Sequence, residues 1–140
     1  MPTYLEHANI TVPDIPAAIA FLRLIDPDFV VRHDETPEGS SRWTHVGTDD
    51  FYVALQEPYI GATPEIAREA YVNFGVNHLA WVVDDFDAVI ARLEAAGCRQ
   101  GIDVARHPHR KRAYYFDSAG QEWEIVQYLS ADPARRNDYA

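Results

Sequence analysis

Residues 7–22 read HANITVPDIPAAIAFL, and residues 78–93 read HLAWVVDDFDAVIARL, so a shift of 71 positions lays one stretch on the other. Seven of the sixteen aligned pairs are identical: His7/His78, Val12/Val83, Asp14/Asp85, Ala17/Ala88, Ile19/Ile90, Ala20/Ala91 and Leu22/Leu93. Ordinary residue frequencies give roughly one such match. The shared Asp fits a helix cap, and the shared Ala, Ile and Leu fit the packing face of a helix. The shared histidine has no such structural explanation. It points to a two-fold site with one imidazole from each half.

Working outward, each copy opens a longer unit. Residues 5–12 read as a strand ending at Pro13, and Asp14 as the cap of a helix that tolerates Pro16 in its first turn. Asp26, Pro27 and Asp28 stop that helix. A strand over 29–33 and a polar loop over 35–41 follow, then a hairpin of strands 42–46 and 51–56. Residues 58–73 form a linker with room for a short helix over 64–71. The pattern then restarts: strand 76–83, helix 85–96, a stop at Gly97, a short strand over 102–105 and a base-rich loop over 107–111. The closing hairpin pairs 112–116 with 122–128. The tail 129–140 is polar, of a kind that stays disordered or wraps a neighbour. The expected class is α+β, with two βαβββ modules forming an open, cup-like sheet around a metal site. The chain divides as module 4–57, linker 58–74, module 75–128 and tail, within one domain 1–140.

Bulk properties narrow the function. A length of 140 residues supports a hydrophobic core without staples. A net charge of −10 disfavours phosphate backbones and anionic membranes, so no nucleic-acid or membrane partner is expected. Cys98, the sole cysteine, can form no intramolecular disulfide and follows Gly97 at a helix end, as a packing residue does. With no apolar leader or spanning run in view, the expected setting is the cytoplasm.

Alternation along 121–128 turns Glu122, Glu124, Val126 and Tyr128 one way and Trp123, Ile125 and Gln127 the other. The first face holds a mid-strand carboxylate, which needs a metal or a cation as partner. If the modules pack about a pseudo-two-fold axis, the two histidines converge and Glu124 completes a 2-His-1-carboxylate set with open positions, suited to one divalent ion: Fe, Mn, Ni or Zn. Glu122 shares the face and competes for the third place; its position after the 117–120 turn favours Glu124. Other residues have plainer readings. The basic group His107, His109, Arg110, Lys111 and Arg112 reads as a solvated loop ahead of an anion site, with His109 retained as a candidate general base. Trp81 and Trp123 read as sheet–helix packing.

These residues carry a resemblance. The motifs LEHANITVPDIPAAIAFL, VNHLAWVVDDFDAVIARLEAAG and YYFDSAGQEWEIVQY resemble the vicinal oxygen chelate superfamily, which includes glyoxalase I, extradiol dioxygenases and the fosfomycin and bleomycin resistance proteins. The resemblance covers nearly all of residues 4–128, with Ser118 where the family's turn has Pro. Carried over position by position, it implies His7, His78 and Glu124 as metal ligands. Ala54 stands where glyoxalase I proteins have a fourth ligand, with Gln56 one pleat along. Asn9 stands where fosfomycin resistance proteins carry Thr. Asn9, His45, Tyr52, Gln56, Tyr114 and His109 are the candidate substrate-binding residues.

The resemblance implies a homodimer, in which modules can pair across subunits, and a small-molecule substrate. The metal would act as a Lewis acid on two neighbouring substrate oxygens. The leading expectation is a metal-dependent enzyme, either a glyoxalase-like lyase/isomerase or a dioxygenase. The alternatives are a non-catalytic drug-binding protein and a fosfomycin-type thiol transferase, the latter disfavoured by Asn9.

Overall fold

A computed structural model describes residues 2–62 and 69–139. It divides into two compact units, residues 1–68 and 69–140. Within the first run β1 (His7–Thr11), α1 (Ile15–Ile25), β2 (Val30–Glu35), β3 (Trp43–Gly47) and β4 (Tyr52–Gln56). The second holds β5 (His78–Val82), α2 (Phe86–Ala95), β6 (Arg99–Gln100), β7 (Arg110–Phe116), β8 (Glu122–Tyr128) and a short α3 (Pro133–Arg136). Each unit is a four-stranded mixed sheet, ordered β1-β4-β3-β2 and β5-β8-β7-β6. The first and last strands of each unit pair in parallel, and the remaining pairs are antiparallel. The two βαβββ modules expected from the repeat are therefore present, and neither sheet closes into a barrel.

The helices begin where the shared aspartates stand. Asp14 accepts the amide of Ala17, and Asp85 that of Ala88, each at 3.0 Å. Such a cap contributes about 1 kcal/mol. Ile15, Ala18, Leu22 and Ile25 recur at helical spacing and bury one face of α1, joined by Phe21. They pack with Val46, Val53 and Leu55 from the inward face of the sheet. Val89 and Leu93 do the same in the second unit, against Ala113, Tyr115, Trp123 and Ile125. Helix α2 ends as expected at Gly97, whose φ of 72° lets Gly97 N–H reach Glu94 and Cys98 N–H reach Leu93.

Three expectations change. The short strand is Arg99–Gln100, not 102–105. The Gly97 turn sends the chain straight onto β7, where Arg99 and Gln100 meet Phe116 and Tyr115. Gly101 then donates to Tyr114 O at 2.7 Å so closely that a Cβ would lie 2.9 Å from the Tyr114 side chain. Arg110 and Lys111 belong to β7, not to a loop, because the β7–β8 ladder continues to the pair Arg110↔Tyr128. The described tail packs on its own unit: Arg110 donates to Arg136 O at 2.9 Å and Asp138 O at 2.6 Å, and lies over the ring of Tyr139. The helix envisaged over 64–71 falls largely outside the described residues; Tyr71 itself lies in a turn.

The 117–120 turn does not need the proline that Ser118 replaces. Asp117 Oδ1 accepts the amides of Ala119 and Gln121, each at 3.0 Å, and Gly120 supplies a φ of 84°. The other carboxylate oxygen accepts the Trp123 indole N–H at 3.1 Å, tying the turn to the core strand.

Candidate metal centre

In the second unit the sheet face away from α2 carries His78, Glu122, Glu124 and Tyr114. Parallel pairing sets His78 opposite Glu122 and Ala80 opposite Glu124, and antiparallel pairing sets Tyr114 opposite Glu124. The imidazole sits between two carboxylates: Nδ1 is 3.4 Å from Glu122 Oε1, and Nε2 is 3.2 Å from Glu124 Oε2. Glu122 is 6% exposed. Tyr71 leans over this group; its hydroxyl donates to Glu122 and lies 3.1 Å from His78 Nδ1. The hydrogen bond to Glu122, together with burial, pushes the Tyr71 phenol up to about 12. Burial, then the charge of Glu124, raises that of Tyr114. Both phenols therefore keep their protons at neutral pH.

The first unit has a matching face. His7 stacks on Tyr52 at 4.8 Å with an interplanar angle of 7°. His45 lies 4.3 Å from Tyr52, and Trp43 and His33 continue the row of rings. Arg32 caps Tyr52 at 4.4 Å. Glu6 Oε1 is 3.0 Å from His7 Nδ1. Hydrogen bonds from His7 and then Tyr52 hold this carboxyl below its ordinary value. The strand registers align Tyr52 with Glu122 and Ala54 with Glu124, since His7 meets Tyr52 and Asn9 meets Ala54. The first module thus offers a histidine without a mid-strand carboxylate.

The remaining candidates scatter. Asn9 and Gln56 line an open pocket of about 520 Å³ in the first unit, beside Thr11, Glu57 and Tyr59. Gln56 is turned to backbone oxygens of Arg42 and Glu57. His109 is not brought to the His78 group: it stands five residues before Tyr114, about 17 Å of extended chain, with its N–H on His107. The basic cluster is not a solvated loop. Arg106, His107, Arg110, Lys111 and Arg112 line a pocket of about 540 Å³. Arg110 is 5% exposed, and Lys111 pairs with Asp87 at 2.7 Å. Burial raises the Cys98 thiol, which disfavours a thiolate nucleophile there. Among the described residues, no three His, Cys, Asp or Glu side chains form a ready-made metal cluster. The structure brings His78 to Glu124 and Glu122; His7 belongs to the other unit.

Sequence reading missed Glu6 and Tyr71. Glu6 has no counterpart in the repeat, because position 77 is Asn. Tyr71 reaches the site only through a φ of 67°, rare for a residue with a side chain.

His45 offers a pH test. Burial, and then the positive charge of neighbouring His33, Arg32 and His7, lowers its imidazole pKa. A depressed histidine contributes stability above its unfolded value, near pH 6.5, and that contribution is lost as the pH falls. The Tm of the wild type is expected to drop more steeply between about pH 7 and about pH 5 than that of His45→Gln. Parallel Tm curves would contradict it.

Several solved structures share this fold. The fosfomycin resistance protein FosX of Listeria monocytogenes, complexed with Mn(II) and sulfate, has a TM-score of 0.69 at 17% identity, covering 99% of this chain and 100% of its own. A glyoxylase/bleomycin resistance protein/dioxygenase domain from Frankia sp. EAN1pec has a TM-score of 0.74 at 16% identity, with the same coverage. A glyoxalase family protein from Bacillus cereus has a TM-score of 0.74 at 17% identity, covering 93% of this chain and 97% of its own. At these identities the likeness is one of fold. No curated protein matches the chain in sequence. Residues 4–125 match the family model of the Glyoxalase/Bleomycin resistance protein/Dioxygenase superfamily, and the chain belongs to that superfamily.

Proposed function

We propose that the protein is a divalent-metal-dependent enzyme of the glyoxalase-like lyase/isomerase or dioxygenase type, with His7, His78 and Glu124 as its metal ligands. One observation carries this reading. His78 presents Nε2 to Glu124 at 3.2 Å while Nδ1 is engaged by Glu122 and Tyr71. An imidazole nitrogen and a carboxylate oxygen thus face each other on the open side of the sheet, close enough to share one positive centre, a proton or a metal ion. An imidazole and a carboxylate form a donor set that divalent Fe, Mn, Ni and Zn accept. His7 is the third proposed ligand because the repeat places it at the position of His78 in the first module. FosX, bound to Mn(II), shares the fold and supports the assignment of a divalent metal.

When bound, the metal supplies Lewis acidity to neighbouring oxygens of a small substrate. The chain's own residues bind and orient that substrate. Tyr114, edge-on to His78 at 5.2 Å, keeps a protonated hydroxyl beside Glu124. His45 and Tyr52 would meet an aromatic or dicarbonyl compound by ring edges and polar tips, since the Tyr52 ring is already faced by His7 and Arg32.

The test is calorimetric titration of metal-stripped protein with Mn(II), Fe(II), Ni(II) and Zn(II). A screen of catechols, 2-oxoaldehydes with thiols, and epoxides would follow. One tight divalent site per chain is expected. Absence of any such site would leave small-molecule binding without turnover, the mode of the bleomycin resistance proteins, as the function.

A further inference from the structure

Each module's leading histidine turns Nδ1 onto a glutamate, and a tyrosine stands against each pair, on the histidine ring in the first and on the carboxylate in the second. In the first unit the glutamate is Glu6, 3.0 Å from His7 Nδ1, and Tyr52 stacks on the histidine at 4.8 Å. In the second it is Glu122, which accepts a hydrogen bond from the Tyr71 hydroxyl; His78 Nδ1 lies 3.4 Å from Glu122 and 3.1 Å from the Tyr71 oxygen. The partners are not copies of one another. Glu6 aligns with Asn77 under the 71-residue shift, and Tyr52 occupies the register position of Glu122. Duplication would repeat residues. Here the residues differ and the arrangement recurs, so the arrangement itself has a use.

The second pair is also held by unusual backbone. Tyr71 adopts a φ of 67°, which disfavours any residue with a Cβ, and its N–H is fastened to Asn77 Oδ1 at 2.7 Å. Such conformations persist where surrounding contacts over-determine them, commonly at functional sites.

We propose that Glu6–Tyr52 and Glu122–Tyr71 are positioning pairs that keep the ring proton of His7 and His78 on Nδ1, leaving each Nε2 free to ligate a metal. A carboxylate on the far nitrogen fixes the tautomer and ring orientation of a ligand histidine and makes it a better donor. Tyr71, donating to Glu122, keeps that carboxylate on the Nδ1 side, and Tyr52, stacked on His7, holds the ring's orientation. Glu122 is therefore a positioning residue, and the carboxylate facing Nε2 is Glu124. This deepens the proposed function and rests on His7 and His78 being ligands.

Nitrogen NMR of the full metal-free chain at about pH 9, where ordinary imidazole is neutral, reads the tautomers directly. His7 is expected in the Nδ1–H form, and His78 likewise in a Glu124→Ala chain, which lacks the carboxylate 3.2 Å from its Nε2. Glu122→Leu and Tyr71→Phe should move His78 towards the Nε2–H form and leave His7 unchanged. Glu6→Ala should do the reverse. Glu122→Gln, which keeps one acceptor oxygen, should restore most of the bias. Tyr71→Phe alters an exposed turn and reads the same coupling should Glu122→Leu not fold. In titrations with Mn(II) alone, Glu122→Leu and Glu6→Ala should each weaken binding about 10- to 100-fold. His7 in the Nε2–H form, His78 in that form in the Glu124→Ala chain, or variants that shift neither tautomer nor affinity, overturn the proposal. So does a Glu122 variant that loses as much affinity as Glu124→Gln. If the wild type binds no Mn(II) but the tautomers respond as stated, the metal function fails while the tautomer assignment stands.

Discussion

Glu124→Gln is expected to remove divalent-metal binding while leaving the fold intact. The change is isosteric and sits on the sheet face away from α2, where the side chain touches His78 and borders Tyr114 rather than the core. It takes away the carboxylate that faces Nε2. The loss of affinity should therefore exceed the ~100-fold upper range of residues that act on a ligand from behind. Glu122→Gln should stay at or below about tenfold, because its amide oxygen can still accept the Nδ1 proton of His78. His78→Ala should match Glu124→Gln. Metal titration of the three variants, with circular dichroism as the fold control, decides the order. Equal losses for the two glutamates would mean that both ligate, and a reversed order would make Glu122 the ligand. Collapse of His78→Ala would make the histidine a structural residue.

Trp123→Ala is expected to have the largest effect on stability, about 3–5 kcal/mol. The indole is 2% exposed, stacks with Trp81 at 5.9 Å, and packs in the core between the second sheet and α2. Truncation opens a cavity and also strips Asp117 of the N–H that ties the 117–120 turn to β8. Against a typical total of about 5–15 kcal/mol, that is a large fraction. Trp123→Phe keeps most of the volume but not the hydrogen bond, and should cost markedly less. Urea denaturation reads both. A cost below about 1 kcal/mol for Trp123→Ala would place the core elsewhere. Because Trp123 and Glu124 are neighbours on opposite faces of one strand, the two substitutions separate stability from metal binding.

The repeat made the architecture legible because it records local rules twice. Asp14 and Asp85 cap helices, Gly97 ends one, and alternation in β8 turns Trp123 and Ile125 to one face and Glu122 and Glu124 to the other. Those rules act over a few residues, so they can be read along the chain. Errors fell where pairing partners decide: β6 sits at Arg99–Gln100 because β7 receives it there, and Arg110 is buried because the tail returns to cover it.

The site shows the same division in sharper form. Two histidines, one per module, and a face bearing both Glu122 and Glu124 follow from the sequence by itself. Period-two alternation cannot tell those two carboxylates apart, since it sends both to one side. The position after the 117–120 turn favours Glu124, but the contacts that separate the two belong to the parallel pairing of β5 with β8, strands whose paired residues His78 and Glu122 lie 44 positions apart. That register and the orientation of the ring turn Nδ1 to Glu122 and Nε2 to Glu124. Tyr71 enters through a single left-handed backbone angle, and Glu6 through a contact the duplication does not contain. Local propensity specified the two modules and their histidines; which nitrogen meets which oxygen was decided only by long-range pairing, where the chain's order no longer measures distance.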